Sequence, residues 1–151
     1  MQILFTVCDV PIAQPRQKHR AFMSGGHMRT GNYTPAKHPV NAFKASCRKA
    51  ANAAYSGAPL EGPIGLTLVF VLPRPQGMIW KRRQMPRVRH TKKPDADNLA
   101  KSLKDSLSKL TWGDDSQVCY LSIEKWIASG DEQPHVEVVI ETLDQYEPSG
   151  D

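Results

Sequence analysis

The sequence predicts a single α+β domain: a mixed β-sheet of about four strands with two helices packed on it, in the order β-α-β-α-β-β. Three observations carry this. Two segments, around 40–54 and 99–110, place apolar residues at helical spacing. Four shorter segments are runs of β-branched and large apolar residues. The chain of 151 residues suits one domain, 1–151, with one core.

In chain order, residues 2–10 (Q-I-L-F-T-V-C-D-V) read as a strand ended by Pro11. Residues 11–35 read as a basic loop or a loose hairpin, punctuated by Pro15, Gly25, Gly26, Gly31 and Pro35. A helix follows from Pro39 to Tyr55. Pro39 suits a first helical turn, and Val40, Phe43, Cys47, Ala50 and Ala54 recur on one face. Gly57 and Pro59 stop it. Residues 64–72 form a central strand, closed by Pro73 and Pro75. A second basic loop covers 73–94. Leu99, Leu103, Leu107 and Leu110 then share a helical face, which predicts a helix over 98–111 before Gly113. Residues 117–126 and 135–143 are two further strands joined by a hairpin loop. The polar tail 144–151 is expected to fray.

Several classes are excluded at this level. The longest apolar runs, such as 66–72, are far too short to span a bilayer. The start M-Q-I-L-F-T-V has no basic leader, so it reads as a strand rather than a signal peptide, and the expected location is cytoplasmic. Cys8, Cys47 and Cys119 make no paired or zinc-binding spacing and are expected to be buried and reduced. The histidines show no ligand spacing. No phosphate-binding glycine loop, nucleophile elbow or zinc-protease motif is present, so no nucleotide cofactor is expected.

Charge is divided along the chain. Residues 1–93 hold sixteen Lys/Arg against Asp9 and Glu61, net +14. Residues 94–151 hold four lysines against thirteen acids, net −9. Such a split suits a surface for a polyanion with a cation-holding patch inside it, or simple self-neutralisation. The candidate DNA contacts are Arg16, Lys18 and Arg20 in the first loop. In the second they are Lys81, Arg82, Arg83, Arg87, Arg89, Lys92 and Lys93. Trp80 could stack on bases or tuck onto the core.

The acids begin at P-D-A-D-N (94–98), directly after that basic run. Asp95 and Asp97 can present their oxygens to one small volume, whether the chain is extended there or Asp97 caps the helix. Crowded carboxylates need a cation or a proton, and hard oxygen ligands select Mg²⁺ or Mn²⁺. A bare D-x-D is also explained by a helix cap plus a turn acid. Asp114 and Asp115 in W-G-D-D-S-Q (112–117) could be a turn or could complete the site. Lys101 lies one helical turn after Asp97 and can lean back toward the helix start, with Asp105 a turn further to pair with it. A helix over 98–111 is about 20 Å long, so Asp115 meets Asp97 in one chain only if the helix is shorter or the loop doubles back. The shorter helix and a same-chain site are expected; otherwise Asp115 serves another subunit.

P-D-A-D-N-L-A-K-S-L-K-D-S-L (94–107), then W-G-D-D-S-Q-V (112–118) and Lys125, resembles the RusA family of Holliday junction resolvases, small endonucleases of bacteria and their prophages. The D-x-D-N, the lysine four residues on, the further helix acid and the D-D-x-Q fall here on Asp95, Asp97, Asn98, Lys101, Asp105, Asp114, Asp115 and Gln117. The match is dense over about 25 residues. The proline- and arginine-rich stretch from Pro11 and the Y-T-P at 33–35 extend a looser likeness. The resemblance implies Asp95, Asp97, Asp115 and Lys101 as catalytic residues and Asp95, Asp97, Asp115 and Asp114 as metal-site residues, Asp114 in a helping role. It implies Mg²⁺, with Mn²⁺ as substitute, a homodimer, four-way DNA junctions as substrate, and nicks with 5′-phosphate and 3′-hydroxyl ends. The loop 74–93 is longer than in a minimal member, which bears on substrate preference. Action on other branched phage DNA, or DNA binding without catalysis, are the competing expectations.

Overall fold

A computed structural model describes residues 1–16, 18–147 and 149, with the side chains of Lys18, His19 and Asn32 outside that description. Its elements are β1 (Gln2–Val7), β2 (Lys18–Ser24), β3 (His27–Tyr33), α1 (Pro39–Ala54), β4 (Ile64–Leu72), β5 (Val88–Arg89), α2 (Ala96–Leu107), β6 (Val118–Ile127) and β7 (His135–Thr142). Single 3-10 turns occupy Gln76–Met78 and Asp115–Gln117.

The main sheet has five strands in the order β1-β7-β4-β6-β5, and β2 and β3 form a separate hairpin. β4 and β6 are parallel neighbours joined through α2, while the other pairings are antiparallel. The sheet is therefore mixed and the fold α+β, as the sequence predicts. The sheet has one strand more than expected, because Val88 and Arg89 of the second basic loop pair with Ile127 and Trp126. The first strand also stops at Val7, short of the predicted 2–10.

The pattern of each element follows its neighbours. β4 is sandwiched between β6 and β7 and is buried along almost its whole length. β1 alternates instead: Ile3 and Val7 point into the core and Leu4 points out. α1 is capped by His38, whose Nδ1 accepts from Val40 N at 3.1 Å. Its buried face is Val40, Phe43, Cys47 and Ala51, whereas Ala54 of the predicted stripe is exposed. Burial pushes the Cys47 thiol up to about 12, so it remains a protonated core residue. Cys8 and Cys119 are exposed, contrary to the expectation of three buried thiols.

α2 packs Leu99, Ala100, Leu103 and Leu107 against the core, and it ends earlier than predicted. Ser108 is extended and Lys109 has φ 68, which turns the chain back so that Lys109 N bonds Trp112 O at 2.6 Å. Trp112 is fully buried and bridges to Leu60, while Leu110 is only half-buried. Burying the indole outweighs one more turn of leucine stripe. No helix among the described residues is long and apolar enough to cross a membrane. Asp144–Glu147 are exposed and irregular; residues 148, 150 and 151 of the expected frayed tail lie outside the described residues.

Candidate active site

The peptide bond Lys93–Pro94 is cis, and Asp95 is the N-cap of α2. The Asp95 carboxylate makes no capping bond and is exposed, as is Asp97 in the first turn. Both acids sit where the helix N-terminus favours negative charge. Two tethers fix this end of the helix. Gln14 N donates to Asn98 O at 3.0 Å, and Ser102 Oγ donates to Ile12 O at 2.6 Å, tying the start of the first basic segment to the helix. On the other side Lys125, from β6, donates through Nζ to Lys92 O at 2.6 Å and Pro94 O at 2.7 Å. The carbonyls that lead into Asp95 thus converge on one ammonium.

The turn after α2 is built just as specifically. Gln117 Oε1 accepts from Gly113 N and Asp114 N, both at 2.8 Å, and its Nε2 donates to Leu60 O and Gly62 O, both at 3.0 Å. Asp114 caps the 3-10 turn by accepting from Ser116 N at 2.8 Å, and hydrogen bonding from the Ser116 side chain, then from its backbone, holds its carboxyl below the ordinary value. Asp115 Oδ1 accepts from the buried indole Nε1 of Trp112 at 3.0 Å, leaving Oδ2 without a hydrogen-bond partner among the described residues. In D-D-S-Q, then, Asp114 and Gln117 build the turn and Asp115 is presented by it.

Asp97, Lys101, Lys104, Asp105 and Asp115 line one open groove of about 330 Å³ between α2 and β6, floored by Ala100, Leu121 and Ile123. Asp115 therefore shares a groove with Asp97 in the same chain, as the shorter helix allows. Asp95 and Asp114 are not among its lining residues. Lys101 and Asp105 both line it without an ion pair between them, so Lys101 is not held by Asp105. Among the described residues no three His, Cys, Asp or Glu side chains are already gathered to hold a metal ion. The donor chemistry still suits Mg²⁺, which takes one or two carboxylates and completes its shell with water and substrate phosphate. Asp97 and Asp115 supply such carboxylates, and Asp95 stands two residues from Asp97.

The basic residues divide by what already holds them. Lys81, Arg82, Arg83, Arg89, Lys92, Lys93, Arg16 and Arg20 are exposed, Arg89 while pairing with Glu124 at 3.5 Å and lying over Trp126 at 3.8 Å; the side chain of Lys18 lies outside the described residues. Arg87 is committed to Glu132 at 2.6 Å and Glu137 at 2.9 Å, closing the loop onto β7 and the β6–β7 connection, which is not the expected hairpin because β4 lies between those two strands. Arg74 donates to Met78 O, Pro86 O and Ala128 O, and it stacks on Trp80 at 4.6 Å, with Arg83 over the same ring at 3.8 Å. Trp80 is half-buried in this stack. His90 is pushed below its ordinary value by burial and then by Lys125, so it adds no charge near neutral pH.

Sequence reasoning gave Trp112 and Lys125 no role, although both lie within the matched segments. The indole two residues before D-D and the lysine ten residues after Asp115 were the available signals.

A family model described as Endodeoxyribonuclease RusA matches residues 10–141. A Bacillus subtilis (strain 168) protein described as "Uncharacterized protein YqaN" is 32% identical over 143 residues, covering 91% of this chain and 94% of that protein. The match spans both basic segments, the D-x-D helix and the D-D-x-Q turn, and this chain belongs to the RusA family of endodeoxyribonucleases.

Proposed function

We propose that this protein is a Mg²⁺-dependent, structure-selective endonuclease that resolves four-way DNA junctions by paired phosphodiester hydrolysis. The observation that supports this most is the single groove in which Asp97, Lys101 and Asp115 meet, in a chain whose two basic segments carry exposed cations. The exposed Lys/Arg of the two basic segments bind the DNA backbone and orient it. Lys101 stands in the groove to take up negative charge that grows on the phosphate oxygens. Asp95, Asp97 and Asp115 hold the divalent cation, with Asp114 assisting through the turn it caps. Mn²⁺ can replace Mg²⁺ there. Once bound, the cation supplies positive charge to the phosphate and to the attacking water. Trp112 keeps the Asp115 carboxylate in one orientation, and Lys125 keeps the approach to Asp95 in place.

A four-way junction has near two-fold symmetry and needs two matched cuts, so a homodimer with two equivalent sites suits it. The test is cleavage of a synthetic mobile junction, a Y-fork and linear duplex, each with Mg²⁺ and with EDTA. Metal-dependent cutting of the junction above the other two is expected. Equal cutting of all three removes the resolvase reading and leaves a nuclease; binding without cutting of any removes both.

A further inference from the structure

No described side chain of the hairpin β2–β3 belongs to the core. Every described side chain from Arg20 to Thr30 is exposed. An unsupported two-stranded hairpin is marginal in water, so a surface of this kind implies an occupant. Its turn is a two-residue type I′ connection, in which Gly25 and Gly26 supply φ 58 and 81. Seven-residue strands make an arm roughly 20 Å long.

Register gives the arm two unlike faces. Directly paired residues share a face, so Arg20, Phe22, His27, Arg29 and Tyr33 lie together. The Arg20 guanidinium sits 5.8 Å from the Phe22 ring centroid and 5.7 Å from that of Tyr33. The opposite face carries Ala21 and Thr30 and, next to the turn, the directly paired Met23 and Met28, which are 63% and 68% exposed. One face is therefore basic and aromatic, and the other ends in two unbranched, conformable thioethers.

Charge names the occupant. No acidic residue occurs between Asp9 and Glu61, while Arg16, Lys18, Arg20, Arg29 and Lys37 all do. Two such arms repel each other, whereas a polyanion attracts both. The arm is also rooted at the candidate site, because Gln14 and Ile12 are bonded to Asn98 and Ser102 of α2. The arm therefore departs from a segment bonded to the helix that carries Asp97 and Lys101.

We infer that β2–β3 is a DNA-engaging arm that selects branched substrates. Its Arg20 and Arg29 face grips the backbone, and the Met23–Met28 pair inserts as an apolar wedge between base pairs at the branch point. Apolar side chains, Met among them, enter base steps at the cost of unstacking, and a branch point has already interrupted the stack. This rests on the junction-cutting reading above and adds the element that recognises the branch.

The test uses full-length protein, without divalent metal so that strands stay intact, and a synthetic four-way junction with 2-aminopurine at the branch pairs. Wild-type protein is expected to raise the fluorescence as the pairs unstack. Met23→Ser/Met28→Ser should lose most of that rise and about tenfold of the junction-over-duplex preference, the scale of one lost stacking contact. Its affinity for linear duplex should stay within about twofold, because no phosphate contact is removed. Arg20→Ala/Arg29→Ala should weaken both substrates alike and lower the salt slope by about two. The exposed positions leave the fold intact, which circular dichroism checks. A double-methionine variant that keeps the fluorescence rise and the preference overturns the inference while leaving the resolvase reading standing. A change of oligomeric state in that variant by light scattering also overturns it, assigning the arm to a subunit contact. Equal wild-type affinity for junction and duplex overturns both.

Discussion

Lys125→Met tests whether the site is held from behind as the geometry states. The substitution keeps the length of the side chain and removes two charge-assisted bonds, to Lys92 O at 2.6 Å and Pro94 O at 2.7 Å. Bonds of this type contribute about 1.5–3 kcal/mol each when dry. The contact to Lys92 O is exposed, so water recovers part of its value, and a total loss of about 2–3 kcal/mol is expected. For a chain of this size that is roughly 5–10 °C in Tm. The functional effect should exceed the thermal one. The freed carbonyls lie immediately before Asp95, and a misplacement of about 1 Å can cost on the order of 100-fold in rate. Differential scanning fluorimetry reads the first effect and single-turnover junction cleavage the second, while junction Kd should stay within about threefold because the surface cations are untouched. His90 provides an independent readout. Burial keeps its value low first, and Lys125 second, so the variant should raise it part of the way in an NMR titration. A Tm within about 1 °C of wild type, or a loss of Tm with cleavage unchanged, would refute the claim that Lys125 positions the D-x-D segment.

Other consequences follow from the same structure. Trp112→Phe keeps a buried ring but removes the donor to Asp115, so cleavage should fall about tenfold or more, the scale of one charge-assisted bond, with DNA binding unchanged. Full activity in that variant would show that Asp115 needs no orienting bond. Gln117→Ala removes four bonds that close the 113–117 turn and should cost about 2–4 kcal/mol in urea unfolding. Glu132 is held down at about 2 by the bond from Arg87, against an ordinary 4.5. A depressed carboxyl stabilises the fold above its ordinary value and loses that contribution as pH falls through the window to about 2. Tm should therefore drop across that window, and Arg87→Ala should flatten the dependence while lowering Tm at neutral pH. An unchanged acid profile in that variant would remove the bridge from the account.

Much of this was legible in the residues because local pattern and final packing agree. The stripe Val40, Phe43, Cys47 needs only a helix against a core, and α1 obeys it to within a residue at its end. The run 64–72 is apolar throughout, and β4 lies between two strands. Pattern failed where distant partners decide. Leu110 continues the leucine spacing, yet the helix stops at Leu107 because Trp112 must be buried against Leu60. Residues 18–33 read equally as loop or hairpin, since their described side chains are exposed and none of them belongs to the core. β5 was missed because two residues without periodicity acquire strand character only by pairing with β6. The same holds for charge: Arg87 looks like its neighbours in the basic run, and only the fold shows it committed to Glu132 and Glu137. At the site, spacing exposed the acids and Lys101. What holds them, an indole from one side and an ammonium from the other, depends on tertiary contacts that spacing does not encode.

The central claim is that the carboxylates in the α2 groove perform chemistry on DNA rather than capping and turning the chain. Asp97→Asn tests it most directly, because Asp97 is exposed, lines the groove and has a side chain with no hydrogen bond among the described residues. On a synthetic mobile four-way junction with Mg²⁺, the account predicts that this variant binds with wild-type affinity, melts at the wild-type temperature and produces no nicks. Nicking at the wild-type rate would contradict it.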